Sequence, residues 1–104
     1  MPLTRSFRDT VKARIERDPA FRDALLTEAV EVLLSGDVQT GKAVMRDYIN
    51  ATVGFAELSK RTSTPPKSLM RMFSPSGNPT ARTLFAVIRE LQKAAGVVLE
   101  LRAA

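Results

Sequence analysis

Two consecutive prolines, Pro65 and Pro66, constrain this chain more than any other pair of its residues. Neither carries a backbone N–H, so a helix interior or a central strand would lose a hydrogen bond at each. The first turn of a helix accepts both, because its N–H groups have no intrahelical acceptor anyway. With Thr64 before them as a candidate N-cap, the pair predicts a helix over residues 65–73.

The same punctuation divides the rest of the chain. Ser6 is a candidate cap for a helix over 7–17, with Phe7, Val11 and Ile15 four apart on one stripe. Asp18-Pro19 pairs an N-cap with a proline at the first helical position and opens a helix over 19–34, its apolar face Phe21, Leu25, Ala29 and Val32/Leu33. Ser35-Gly36 supplies the stop, since glycine accepts the left-handed conformation that closes a helix. Asp37 caps a third helix, to Thr52, with Val38, Met45, Tyr48, Ile49 and Thr52 facing inward. After Gly54 comes a short helix over 55–61 anchored by Leu58, and Thr62-Ser63-Thr64 reads as a tight polar turn. The stretch 74–79 has loop composition. Thr80 then caps a helix over 81–95, with Leu84, Val87/Ile88, Leu91 and Ala95 inward, and Gly96 ends it.

The expected fold is therefore all-α, a bundle of five to six helices in one domain, since 104 residues are too few for two self-sufficient cores. The exception is Val97–Arg102, a β-prone six-mer whose tail alternates apolar and charged residues. One strand alone leaves both edges unpaired, so a short C-terminal β-strand would pair with a second copy, add to a partner's sheet, or fray.

Composition excludes several chemistries. With no Cys and no His, disulfides, thiolate nucleophiles, imidazole bases and Cys/His zinc sites are impossible, and no metal or cofactor is expected. No convergent acid/base pair is visible, so an enzyme, such as a small basic ribonuclease, is the least favoured reading. No apolar run approaches the roughly 18 residues of a spanning helix, and residues 1–18 show no signal-peptide core. The expected location is the cytoplasm, whose reducing conditions suit a cysteine-free chain.

Charge is uneven. Residues 1–53 carry eight basic and eight acidic side chains; residues 54–104 carry eight basic against three acidic, so the whole +5 surplus lies in the second half. That asymmetry points to a polyanionic partner there.

The segment Leu58-Ser59-Lys60-Arg61-Thr62-Ser63-Thr64-Pro65-Pro66-Lys67-Ser68-Leu69-Met70-Arg71-Met72-Phe73, with Asn78-Pro79-Thr80 and Thr83-Leu84, resembles the lambda-repressor-like (Cro, XRE) helix-turn-helix. The likeness covers about residues 38–95. The whole chain, with its charged N-terminal helices and the stretch Arg46-Asp47-Tyr48-Ile49-Asn50-Ala51, is similar to the HigA-like addiction-module antitoxins. The resemblance implies a role for each matching position. Pro66, Lys67, Met70 and Arg71 would face DNA bases, Lys67 and Arg71 as hydrogen-bond donors. Lys60, Arg61, Thr64, Ser68, Asn78, Thr80 and Arg82 would meet phosphates, and Leu58, Leu69, Met72 and Leu84 would be core. Two departures stand out: Pro66 replaces the frequent Gln, and Phe73-Ser74-Pro75 replaces the usual Glu-Asn-Gly. The resemblance further implies a homodimer on double-stranded operator DNA, acting as a repressor and neutralising a RelE/HigB-like ribonuclease toxin. The two N-terminal helices, which a minimal helix-turn-helix does not need, would then bind a partner or pad the core, and Arg14, Arg17 and Arg22 could be plain solvated charges. The competing reading is a protein-interaction module that sequesters a partner without sequence-specific DNA binding.

Overall fold

The computed structural model describes the backbone of residues 5–104 and the side chains of residues 9–104. Six helices occur among the described residues: α1 (Arg5–Arg17), α2 (Pro19–Leu34), α3 (Val38–Ala51), α4 (Gly54–Thr62), α5 (Pro66–Met72) and α6 (Ala81–Ala95).

Three of the helix starts are made by side-chain caps. Asp18 accepts the Phe21 N–H at 3.2 Å, Asp37 the Thr40 N–H at 3.1 Å, and Thr80 the Thr83 N–H at 3.3 Å. Each satisfies a first-turn donor that the helix itself cannot. Gly36 and Gly96 close α2 and α6 with positive φ, where a Cβ would be strained. Two expected caps are corrected. Ser6 lies inside α1, and its side chain, like that of Phe7, is outside the described residues. Thr64 does not cap α5: that helix starts one residue later than expected, and its N-cap is Pro65, which has no side-chain acceptor.

One core joins the helices: Leu26 and Ala29 of α2, Met45, Tyr48 and Ile49 of α3, Phe55 and Leu58 of α4, Leu69 of α5, Phe73, and Val87, Ile88 and Leu91 of α6. α2 thus contributes directly to the core, with α3 packed so closely that Gly41 leaves no room for a Cβ beside Leu33. α1 adds Ile15, which is also buried. The inward stripe of α2 is centred on Leu26, where the sequence pattern gave Phe21 and Leu25 the lead; both are only half-buried. Val38 was expected inside and is exposed. It is the first residue of α3.

The expected C-terminal β-strand is absent. After Gly96 the segment 97–104 carries no secondary structure and has no ladder partner among the described residues. It is not frayed either: Val97 and Leu99 pack against the core, and the Leu99 N–H donates to Gln92 Oε1 at 2.7 Å.

Candidate nucleic-acid interface

α4 is seated by Phe55 and the fully buried Leu58, two of its inward positions three apart. Its end is made by Ser63, a non-glycine residue at φ 54° whose N–H donates to Ser59 O. A left-handed residue turns the chain sharply, and Pro65, extended at ψ 142°, launches α5 in a new direction. Because α5 is only seven residues long, one buried side chain fixes which face it shows. That side chain is Leu69, with no exposed surface. Pro66, Lys67, Ser68, Met70 and Arg71 all lie on the solvent side. Met70, an apolar side chain between two cations of the helix, is 50% exposed.

The far end of α5 is held by a clasp from α3. The Lys42 ammonium, on a residue only 2% exposed, donates to Ser74 O at 3.0 Å, Pro75 O at 3.3 Å and Gly77 O at 2.7 Å. Gln39 Nε2 donates to Pro75 O at 3.0 Å and Arg46 Nη1 to Phe73 O at 3.3 Å. Gln39, Lys42 and Arg46 stand three and four apart on one face of α3, so a single helix side grips the whole turn after α5. The carbonyls of a helix C-terminus and the turn beyond it carry partial negative charge, which favours cations there. Gly77 completes the fit, because a Cβ at that position would overlap Arg71 O and come within 2.6 Å of Met72 O. Phe73 packs inward against Phe55, ring centroids 6.4 Å apart. The Phe73-Ser74-Pro75 departure is thus a turn secured from α3.

The other sequence-chosen residues surround α5 in chain order. Lys60 is exposed at the end of α4, and Arg61 beside it pairs with Glu57 at 3.7 Å. Thr64 is half-buried and donates to Thr62 O at 3.2 Å. Asn78, Thr80 and Arg82 are exposed at the start of α6, where Thr80 also donates to Thr83 Oγ1 at 3.1 Å. Among the described residues, Lys60, Lys67, Arg71 and Arg82 form no ion pair; the four ion pairs present use Arg14, Arg22, Arg61 and Lys93. No cluster of three or more potential metal ligands occurs among the described residues.

Sequence reasoning missed the clasp. Its signal was present: position 42 sits three before Met45 and seven before Ile49 on the inward stripe of α3, where a lysine stands among apolar residues. A charge on that stripe requires buried acceptors. Likewise Arg14, Arg17 and Arg22 are not one class. Arg14 stacks 4.3 Å over the Phe21 ring, and Arg22 Nη2 donates to Ala95 O at 3.1 Å, tying α2 to the end of α6. Arg17 is exposed. Among the described residues no helix is long and apolar enough to cross a membrane. Compared with known protein families, curated proteins and solved structures, the chain matches none.

Proposed function

We propose that this chain is a sequence-specific DNA-binding repressor of the lambda-repressor-like helix-turn-helix type, with α4 crossing the backbone and α5 entering the major groove. The observation that carries this reading is the single orientation of α5. Leu69 faces the core while Lys67, Met70 and Arg71 face solvent, with both cations free of intramolecular partners. A major groove about 12 Å wide admits one helix, and arginine is the side chain best suited to the paired acceptors of guanine. Lys67 is the second donor, and Pro66 and Met70 supply apolar contacts of the kind a thymine methyl accepts. Ser68 on α5, and Lys60, Arg61, Asn78, Thr80 and Arg82, which flank α5 in the sequence, suit phosphates, which fix register without reading sequence. Thr64 is the weakest of this set, being half-buried and already engaged with Thr62.

The test separates the two roles. Arg71→Ala lowers the preference for a selected duplex over random DNA by about 5- to 150-fold, the range for one base-reading arginine. Lys60→Ala weakens binding to both duplexes alike and reduces the salt slope by about one. Equal loss on both duplexes for Arg71→Ala contradicts the base-reading role.

The narrower reading, an antitoxin that represses as a homodimer and neutralises a RelE/HigB-like toxin, is supported by the sequence resemblance. It predicts that the chain relieves the growth arrest caused by a RelE-like product encoded beside it.

A further inference from the structure

We propose that Lys42 is a positioning residue for sequence preference: through the turn that follows α5, its ammonium sets the angle at which Arg71 meets the groove. The proposal rests on the DNA-binding reading and adds to it a residue that touches no DNA.

Packing alone leaves that angle open. Leu69 and Phe73 are both buried and four apart, so they share a stripe and fix which face of α5 turns inward. Apolar burial is non-directional, so two anchors on one stripe leave the helix able to roll about the line that joins them. The start of α5 has no side-chain cap to oppose this, because Pro65 offers no acceptor. A recognition constellation tolerates an error of only about 0.5 Å and 10–20°. A second, directional restraint is needed.

The directional contacts stand at the other end of the helix and converge on the Arg71 carbonyl. The Ser74 N–H and hydroxyl both donate to Arg71 O, at 3.1 Å and 2.6 Å. Gly77 lies so close to the same oxygen that a Cβ there would overlap it. The backbone of the proposed guanine reader is thus enclosed by residues 74–77. The carbonyls of Ser74, Pro75 and Gly77 are the three that Lys42 holds. An ammonium has three donors, and this one directs all of them to the turn. Arg46 adds a further point at Phe73 O. Lys42 is only 2% exposed, so any effect it has on sequence preference must pass through this turn. Without the ammonium the buried face of α5 is unchanged, but its roll widens beyond what a bidentate base contact accepts. Lys60 and Arg61 stand on α4, so the phosphate contacts proposed for them do not follow that roll.

The experiment compares dissociation constants for a random duplex and for the duplex that the wild-type chain selects, at one salt concentration. Partial unfolding removes active protein equally from both duplexes, so the ratio of the two constants is blind to stability. Lys42→Met is expected to lower this ratio about fivefold or more, the scale of one weakened base contact. Because Lys42 acts through Arg71, the double variant Lys42→Met/Arg71→Ala is expected to match Arg71→Ala alone within about twofold. Arg46→Met, which removes the contact to Phe73 O, lowers the ratio in the same direction and decides the matter where Lys42→Met does not fold. A Lys42→Met chain that folds and keeps the ratio that Arg71→Ala loses overturns the proposal and leaves the DNA-binding reading standing. So does a double variant whose two losses multiply, since independent effects add in free energy. A wild-type chain with no preferred duplex, or an Arg71→Ala variant with an unchanged ratio, overturns both.

Discussion

The two halves of this chain carry the same number of basic side chains and use them differently. In the first half Arg14 stacks on Phe21, Arg22 reaches the end of α6, and Lys42 and Arg46 hold the turn after α5. In the second half Arg61 and Lys93 are ion-paired, while Lys60, Lys67, Arg71, Arg82, Arg89 and Arg102 form neither ion pairs nor side-chain hydrogen bonds among the described residues. The net charge of each half therefore understates the contrast. Arg14, Arg22, Lys42 and Arg46 of the first half contact other parts of the fold, whereas six cations of the second half have no such partner among the described residues. The clasp links the two: the buried Lys42 and the half-buried Arg46 of α3 hold the turn that follows the free cations of α5.

That contrast breaks most visibly at Lys42. Lys42→Met keeps the apolar stem and removes the ammonium from three carbonyls, so unfolding should become easier by about 1.5–3 kcal/mol, the usual worth of hydrogen bonds to a charged group. Urea denaturation reads this directly. An unchanged midpoint would show that the clasp is dispensable. Arg22→Ala is the milder version, removing a half-buried contact to Ala95 O and costing about 1 kcal/mol by the same measurement.

Arg22 and its neighbour Asp23 also bear on Tyr48. Burial pushes the Tyr48 phenol above its ordinary value, Arg22 pulls it back, and Asp23 adds to the rise. Because the folded value lies above the unfolded one, about 10, the stability this group contributes is complete below that pH and is lost as pH rises through the folded value. Tyr48 is the single tyrosine, so phenolate absorbance reports it alone. Its titration midpoint should be higher in the folded chain than in urea. The smallest effect belongs to the other half: Lys67→Ala and Arg71→Ala should leave stability within about 0.5 kcal/mol, as expected of surface positions without partners. A larger loss would mean these cations hold the fold as well.

What the sequence made legible follows from how local its signals are. Asp18, Asp37 and Thr80 act on donors three residues away, and Pro66 and Gly96 act on their own backbone, so these helix ends can be read from neighbours. The outward face of α5 was readable for the same reason: with Leu69 taken inward, Lys67, Met70 and Arg71 have nowhere else to point. The clasp was not readable, because Lys42 meets Ser74, Pro75 and Gly77 more than thirty residues along the chain. The C-terminal strand failed for a related reason. Its alternation is the pattern of a strand, but a strand needs a ladder partner, and residues 97–104 have none within one copy.

The most direct test of the central claim is selection of bound duplexes from a random pool by the wild-type chain and by Arg71→Ala in parallel. If α5 reads the major groove, the wild-type chain enriches one motif. The variant still binds DNA but loses its preference at one or two positions of that motif. Enrichment of the same motif by both proteins, or of none by the wild-type chain, would contradict it.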